Sequence, residues 1–204
     1  GEPGVNRHAT MRTYALTGGM GMGKSTAAAW LKGRGVAVLD TDDLSREVTR
    51  PGEKALAELA EHFGEKILRE DGSLNRSLLA EIVFRDERER RFLEATLHPL
   101  IRQRWHDWRR GLLENEPPPF CVVVIPLLFE TGAEKEFDEV VCVACRPEIQ
   151  KERLLKKGLS EEEIAGRLAA QWPIREKMRL SHHVVHNNGT SEELYAELSR
   201  VFFP

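Results

Sequence analysis

The sequence predicts an α/β fold, a doubly wound parallel sheet of about five strands. Two observations carry this prediction. Short apolar runs recur along the 204 residues with helical stretches between them, which is typical of a parallel sheet buried on both faces. The first run, at residues 14–16, is followed at once by a glycine-rich turn and then by an alanine-rich helical segment. The remaining strand-like runs lie at residues 36–39, 121–125, 140–144 and 184–185.

Two long helical stretches interrupt the sheet pattern. The first has apolar residues at helical spacing and is too long for a simple crossover, so we expect a helical subdomain. The second is rich in charge and contains a capping box, Ser160 with Glu163. The predicted organisation is an N-terminal tail at 1–10, a core at 11–44, 114–146 and 181–204, a helical subdomain at 45–113, and a lid at 147–180.

Composition excludes several classes of protein. With 41% hydrophobic residues and a formal net charge of -3, the chain is neither disordered nor a general nucleic-acid binder. No apolar stretch approaches the roughly 20 residues that cross a bilayer, and residues 1–10 contain no apolar run, so neither a membrane partner nor a secretory signal is expected. Three cysteines in apolar runs suit core packing in a reducing cytoplasm. The oligomeric expectation is a monomer or a weak homo-oligomer.

Residues 18–25 fit the pattern G-x-x-x-x-G-K-[ST] at every fixed position. Glycines let backbone N–H groups converge on a phosphate, and the N-terminus of the following helix adds its dipole. In such a loop the lysine reaches the β- and γ-phosphates and the hydroxyl after it is a Mg²⁺ ligand. The sequence therefore predicts the P-loop NTPase fold, with ATP and Mg²⁺ as ligands and Ser25 as the metal-binding residue. The expected ATP-binding residues of this loop are Gly19, Gly21, Met22, Gly23, Lys24, Ser25 and Thr26.

The acidic residues indicate which kind of P-loop protein this is. The D-x-x-G and N-K-x-D motifs of a GTPase are absent from the sequence, and the third apolar run does not end in the acidic residue typical of a motor. Instead Asp40 and Asp42 close the second run, at the strand end where ligands of open parallel sheets bind. One of the two carboxylates can take a proton from an acceptor hydroxyl. A plain helix N-cap is the alternative for Asp42 or Asp43.

The cationic stretch between residues 147 and 180 supplies a further part of a kinase. Charge builds up on phosphoryl oxygens during transfer, and a mobile cationic lid stabilises it and excludes water. Arg153 and Arg167 are the favoured candidates, because both lie in predicted helices beside apolar positions. A solvated helix face is the better interpretation of most other cations there.

Several separated motifs, in this order, resemble the dephospho-coenzyme A kinase family. They extend from Met11 to about Gly189 and comprise the phosphate loop, the acidic pair, the segment LHPLI at 97–101, the segment PLLFE at 126–130 and the segment NNG at 187–189. The loop is shared by many families, whereas the LHP and PLL segments are more particular to this one.

The resemblance implies a phosphotransferase with an alcohol acceptor, which moves the ATP γ-phosphoryl group to the ribose 3′-hydroxyl of dephospho-coenzyme A in the last step of coenzyme A synthesis. It implies that Asp42 is the general base, that Arg153 contacts the phosphates, and that Asn187 lies near the adenine of ATP. The helical subdomain would receive the coenzyme A moiety. The expected acceptor-binding residues are His98 of this subdomain and, in the core, Asp40, Asp42, Leu127 and Glu130.

The sequence also departs from the family pattern. His186 stands where an aspartate is common, and His182 with His183 replaces a commonly acidic approach to the last strand. Trp172 occupies a position where a smaller residue is usual. These departures concern the contact with adenine and not the reaction. Two alternative functions also stay open: another small-molecule kinase of the same fold, and a non-catalytic ATP-binding regulator.

Overall fold

The computed structural model describes residues 11–204, so the predicted tail at 1–10 lies outside the described residues. Five strands form one parallel sheet in the order β2-β3-β1-β4-β5. Their bounds are Arg12–Gly18 (β1), Ala37–Asp40 (β2), Phe120–Val124 (β3), Glu139–Ala144 (β4) and His183–His186 (β5). The predicted doubly wound α/β sheet of about five strands is therefore confirmed.

The strand β1 lies at the centre of this sheet and pairs with β3 on one side and β4 on the other. Tyr14 is in register with Val122 of β3 and with Glu139 of β4. The β-branched side chains of β3 and β4 are buried, which offsets the conformational entropy lost when these strands become ordered. Helices α1 (Lys24–Gly33) and α9 (Ser191–Phe202) pack into the same core, where Leu31 and Leu198 are fully buried.

The described chain divides into two compact units. The first comprises residues 11–39 and Gly111–Pro204, and the second comprises Asp40–Arg110. The second unit is helical, with α2 (Thr41–Val48), α3 (Lys54–Phe63), α4 (Arg76–Arg85) and the start of α5 (Glu87–Glu114). Its own core is formed by apolar residues at helical spacing, among them Leu56, Leu59, Phe63, Leu79 and Leu97.

The helix α5 contains Pro99, where the sequence indicates the start, the end or a kink of a helix. The structure has one 28-residue helix that runs through this proline. Proline removes one backbone donor from the helix interior. Leu97, just before it, packs in the core of the helical unit, and Trp105, further along the helix, is also buried. Tertiary packing thus outweighs the local preference for a helix end.

Three short helices, α6 (Pro147–Lys156), α7 (Glu161–Ala169) and α8 (Ile174–Leu180), form the charged stretch that precedes β5. The predicted capping box is present: Ser160 accepts from the Glu163 N–H, and the Glu163 side chain accepts from the Ser160 N–H. These helices cluster with the first unit. Lid motion of residues 147–180 stays a prediction.

Three further observations concern the cysteines, metal binding and the membrane. Cys121, Cys142 and Cys145 are free and buried, as expected of core cysteines. Among residues 11–204 there is no group of three or more His, Cys, Asp or Glu side chains placed to hold a metal ion. Within the same residues no helix combines the length and the apolar character that crossing a bilayer requires.

Candidate active site

The phosphate loop connects β1 to α1 and is shaped by close backbone approaches. Gly18 has φ +147°, and a Cβ added there would collide with the backbone carbonyl of Val143 on β4. Gly23 adopts a left-handed conformation as the N-cap of α1, and a Cβ there would collide with the side chain of Asn187. Both positions therefore require glycine, for φ and for space. Gly18 and Gly23 thus allow the backbone conformation and the close packing that a phosphate-binding turn requires.

Lys24 opens α1 and folds back over the loop. Its Nζ donates to the carbonyl oxygens of Gly18 at 3.2 Å and of Gly19 at 3.0 Å. The hydroxyls of Ser25 and Thr26 are on exposed residues of the same first turn, and that turn contains no acidic side chain. The positive end of the helix dipole is thus left for an anion, with a lysine ammonium beside it.

Asn187, which directly follows β5, holds the loop from outside, and Arg153 of α6 holds Asn187. The Asn187 side-chain amide donates to the carbonyl of Met22 at 2.9 Å, and Arg153 donates to the carbonyl of Asn187 at 2.7 Å. Arg153 Nη1 is buried and has no hydrogen-bond partner among residues 11–204. The structure therefore brings Arg153 and Asn187, both predicted from sequence, to the phosphate loop.

Gln150 is a residue of the site that the sequence pattern does not identify. It is 5% exposed, and its side-chain amide donates to the carbonyl of Met20 in the phosphate loop at 2.8 Å. It precedes Arg153 by three residues on α6, so both side chains lie on the same face of that helix. The signal available in the sequence was an uncharged polar residue at helical spacing from the predicted lid arginine.

The acidic turn, defined here as residues 40–43, follows β2 and begins α2. Asp40 is the N-cap, and its Oδ1 accepts a hydrogen bond from the Asp42 N–H at 2.9 Å. The interpretation of Asp42 or Asp43 as a plain N-cap is therefore wrong, because Asp40 holds that position. Asp42 and Asp43 lie in the first turn of the helix and are exposed. Acidic side chains there also interact favourably with the helix dipole.

The remaining predicted acceptor and phosphate residues differ in their surroundings. Leu127 and Glu130 lie in the segment that follows β3, and both are partly buried. His98 lies in α5 of the helical unit, where burial lowers the pKa of the imidazole. Arg167 is exposed in the last turn of α7, so its role in phosphate binding stays a prediction.

A second residue that the sequence did not single out is Lys177. It is fully buried, and its ammonium lies 3.0 Å from Glu130 Oε2 and 3.0 Å from the carbonyl oxygen of Pro126. The sequence shows it only as one cation among several in a charged helix. Charged residues are almost never fully buried unless they are paired, and the partner of Lys177 is distant in the sequence. The sequence therefore gives no signal that this lysine is buried.

The histidines of the last strand have structural partners. His182 Nδ1 accepts from the Val140 N–H at 2.9 Å, and His183 Nε2 lies 3.3 Å from Glu139 Oε2. The backbone N–H of His186 donates to Glu197 Oε2 at 3.0 Å. These contacts join β4, β5 and α9.

The central strand, the glycine-shaped loop and its lysine define a P-loop nucleotide-binding protein of the kinase type. A family model described as dephospho-CoA kinase matches residues 12–193. The dephospho-CoA kinase of Gloeobacter violaceus is 42% identical over 190 residues, which cover 93% of this chain and 90% of that one. The dephospho-CoA kinase of Geobacillus kaustophilus is 41% identical over 187 residues, 91% and 92% of the two chains.

Solved structures agree with the sequence matches. A Thermus thermophilus crystal structure, 35% identical, superposes with a TM-score of 0.79 over 94% of this chain and 96% of that one. The dephospho-CoA kinase from Campylobacter jejuni, 25% identical, has a TM-score of 0.67 and covers 93% and 94% of the two chains. The chain belongs to the dephospho-CoA kinase family and is a kinase of coenzyme A biosynthesis.

Proposed function

We propose that this chain transfers the γ-phosphoryl group of ATP to the ribose 3′-hydroxyl of dephospho-CoA, with Asp42 as general base. The observation that carries the proposal is the family match over residues 12–193, which includes every predicted site residue. In the reaction, the 3′-oxygen forms a bond to the γ-phosphorus while the bond from that phosphorus to the β,γ-bridging oxygen breaks. The 3′-hydroxyl proton passes to Asp42, and the products are CoA and ADP.

The phosphate loop binds and orients the triphosphate in this proposal. Its backbone turn is set by glycines, and its helix N-terminus carries no competing acidic residue. The Lys24 ammonium stabilises the negative charge that develops on the transferred phosphoryl group. Preorganised donors of this kind stabilise the transition state without having to reorganise during the reaction. Arg153 supports the same step with its unpartnered Nη1, which is held in place by the bond from Nη2 to Asn187.

Asp42 is the proposed base because its carboxylate is exposed, whereas that of Asp40 is committed to capping α2. Ligands of open parallel sheets bind at the carboxyl ends of the strands, and Asp42 follows the carboxyl end of β2. Asp40, His98, Leu127 and Glu130 are proposed to contact the acceptor, and Arg167 to approach the phosphates from α7. We assign residues 45–113 to acceptor binding and 147–180 to the lid.

Magnesium suits the oxygen donors that this chain offers. The exposed Ser25 hydroxyl is a hard oxygen ligand of the kind that Mg²⁺ prefers, and Mg²⁺ in kinases is held by one or two protein oxygens together with substrate phosphates. When bound, the ion neutralises charge on the β- and γ-phosphate oxygens. With Asp42 as the base, Asp40 is the further oxygen donor for the ion or its waters.

The test is a direct assay of the purified chain with Mg-ATP and dephospho-CoA, in which CoA is separated by chromatography and ADP is measured by a coupled assay. We expect equal amounts of the two products. The 3′-deoxy analogue of dephospho-CoA should give neither, which assigns the accepting hydroxyl. Turnover of a nucleoside monophosphate or a sugar acid instead of dephospho-CoA would identify another kinase. ATP binding without turnover of any acceptor would identify a regulator.

A further inference from the structure

One buried ammonium group contacts both ends of the segment that follows β3, residues 126–130. Lys177 Nζ donates to the Pro126 carbonyl at one end of this segment and pairs with the Glu130 carboxylate at the other, each at 3.0 Å. The Pro126 carbonyl also accepts from the Thr17 hydroxyl of β1 at 3.3 Å. Lys177 thus ties both ends of the segment to α8.

Glu130 would not remain in this place without a cation. Its side chain is 12% exposed, and its Oε1 is buried without a hydrogen-bond partner in the part of the chain that the structure describes. Oε2 accepts from Lys177 and from the Trp172 N–H at 3.1 Å. A buried carboxylate that loses its cation either binds a proton or moves into water.

The helix α8, which carries this lysine, also packs against the phosphate loop. Ile174 and Met178, which flank it on α8, pack on the cluster formed by Met22 and Cys142. Burial raises the pKa of the Cys142 thiol to about 11, and the charges of Lys177 and Lys24 both act in the opposite direction. The helix α8 therefore packs on the phosphate loop through Ile174 and Met178, whereas Lys177 itself contacts the segment at 126–130.

Stability alone does not account for a buried ion pair at this place. Replacing a buried pair by neutral residues of similar volume is often neutral or stabilising, whereas breaking it by removing one partner is costly. The other lysine pairs of the charged stretch, Lys151 with Glu161 and Lys156 with Glu152, are exposed. Exposed pairs of this kind contribute little.

We propose that Lys177 is a positioning residue for the acceptor substrate: by holding Glu130 and the Pro126 carbonyl, it sets the conformation of residues 126–130. This inference rests on the proposed function, in which Leu127 and Glu130 contact dephospho-CoA. When the ammonium is removed, a Glu130 that stays charged leaves its buried position and displaces the ends of residues 126–130. The acceptor site is then displaced, while the backbone groups that bind ATP are kept.

The test compares Lys177→Met with the double variant Lys177→Met/Glu130→Gln in steady-state assays at a temperature well below both unfolding midpoints. In the single variant we expect KM for dephospho-CoA to rise about 10-fold or more, because small displacements of positioned groups carry penalties of this order. KM for ATP should stay within about 2-fold of the wild type, since positioning of the acceptor is what is lost. The double variant should have a lower acceptor KM than the single variant, because a neutral glutamine at position 130 can stay buried and accept from the Trp172 N–H. It should not reach the wild-type value, since the proposed contact of the Glu130 carboxylate with the acceptor is absent.

Lys156→Met is the matched control, since it removes an exposed lysine of the same charged stretch and should leave all constants unchanged. If Lys177→Met lowers the unfolding midpoint but changes neither KM, Lys177 is only structural and the inference is wrong. It is also wrong if the double variant keeps the raised acceptor KM of the single one. Lys177→Gln, which retains a donor for Pro126, replaces the methionine variant if that variant does not fold. An inactive wild-type chain would instead refute the proposed function.

Discussion

The phosphate loop and the acidic turn are held in place by different kinds of contact. Distant parts of the chain brace the loop: Asn187 binds the carbonyl of Met22, Gln150 binds that of Met20, and Val143 of β4 leaves no room for a side chain at Gly18. The acidic turn is shaped locally, by the cap from Asp40 to the Asp42 N–H. The loop is therefore preorganised by the fold, whereas the turn needs only the first residues of one helix.

This difference suits the two tasks that we assign to these regions. A phosphate site gains most from donors that are already aligned before the ligand arrives, because no reorganisation is then required during the reaction. A base must meet the proton of an acceptor hydroxyl, and Asp42 is exposed in the first turn of α2. Substitutions in the turn should therefore affect chemistry, and those in the loop should affect both binding and chemistry.

The prediction with the largest expected effect tests whether the acidic turn acts in chemistry alone and not in ATP binding. Asp42→Asn keeps the size of the side chain and removes the base, so we expect kcat to fall about 1,000-fold, within the range that general bases contribute. The dissociation constant for ATP, measured by titration calorimetry, should be unchanged. The matched control is Asp43→Asn, which makes the same charge change on the next residue of the same exposed turn and should leave kcat nearly intact. A wild-type kcat in Asp42→Asn would remove the base from the proposal.

The corresponding substitution in the phosphate loop should lower both kcat and the affinity for ATP. Lys24→Met removes the donor to Gly18 and Gly19 and the charge beside the helix N-terminus. We expect kcat to fall roughly 100-fold to 1,000-fold, as when one preorganised donor is lost, and ATP to bind more weakly as well. Lys32→Met, in the last turn of the same helix, is the control. An unchanged ATP affinity in Lys24→Met would show that the loop and the turn do not differ in their contribution to ATP binding.

A smaller effect tests how the acidic turn is held. Asp40→Ala removes the N-cap of α2 and should lower the free energy of unfolding by about 1 kcal/mol, whereas Asp40→Asn keeps a capping oxygen and should cost much less. Urea unfolding of both variants measures this difference. Ser160→Ala removes the cap of α7 and should cost about the same, which gives the comparison within one chain. Equal stability of Asp40→Ala and wild type would show that the cap does not hold the turn.

Much of the fold followed from local patterns. Each of the five predicted runs lies within or overlaps a strand, because buried parallel strands need short apolar stretches and few other segments of this chain supply them. The loop glycines and Lys24 were predicted because phosphate binding requires a fixed spacing along the chain. Arg153 was predicted from its position in a charged helix as well as from the family resemblance, and Asn187 from the resemblance alone. In the structure Asn187 binds the loop and Arg153 binds Asn187.

The residues that were missed depend on contacts between distant segments. Lys177 lies in the segment IREKMRL, which has the composition of a solvated helix, and only the packing of α8 shows that its side chain is buried. Gln150 likewise acquires its role from a carbonyl far away in the sequence. The continuation of α5 through Pro99 has the same origin, because helix packing there outweighs the local propensity.

The smallest expected effect concerns His98 in the helical unit that contains the acidic turn. Burial lowers the pKa of His98 below its ordinary value of 6.5, and the charge of Glu94 opposes this in part. When the pH falls below that ordinary pKa, His98 therefore binds a proton more readily in the unfolded chain than in the folded chain. Because stability rises with pH wherever the unfolded state binds more protons, the contribution of His98 is complete above about pH 6.5 and is lost as the pH falls toward its lowered pKa.

The measurement is the free energy of unfolding of wild type and His98→Gln in urea at several pH values from about 7.5 to about 5.5, a range chosen around the ordinary pKa. The wild type should lose stability relative to the variant as the pH falls, since glutamine does not titrate. A difference that is constant across the range would show that His98 titrates alike in both states. Amide hydrogen exchange then tests whether the loss is local: faster opening on acidification should appear in α5 and not in the phosphate loop, because the two regions are stabilised by separate cores.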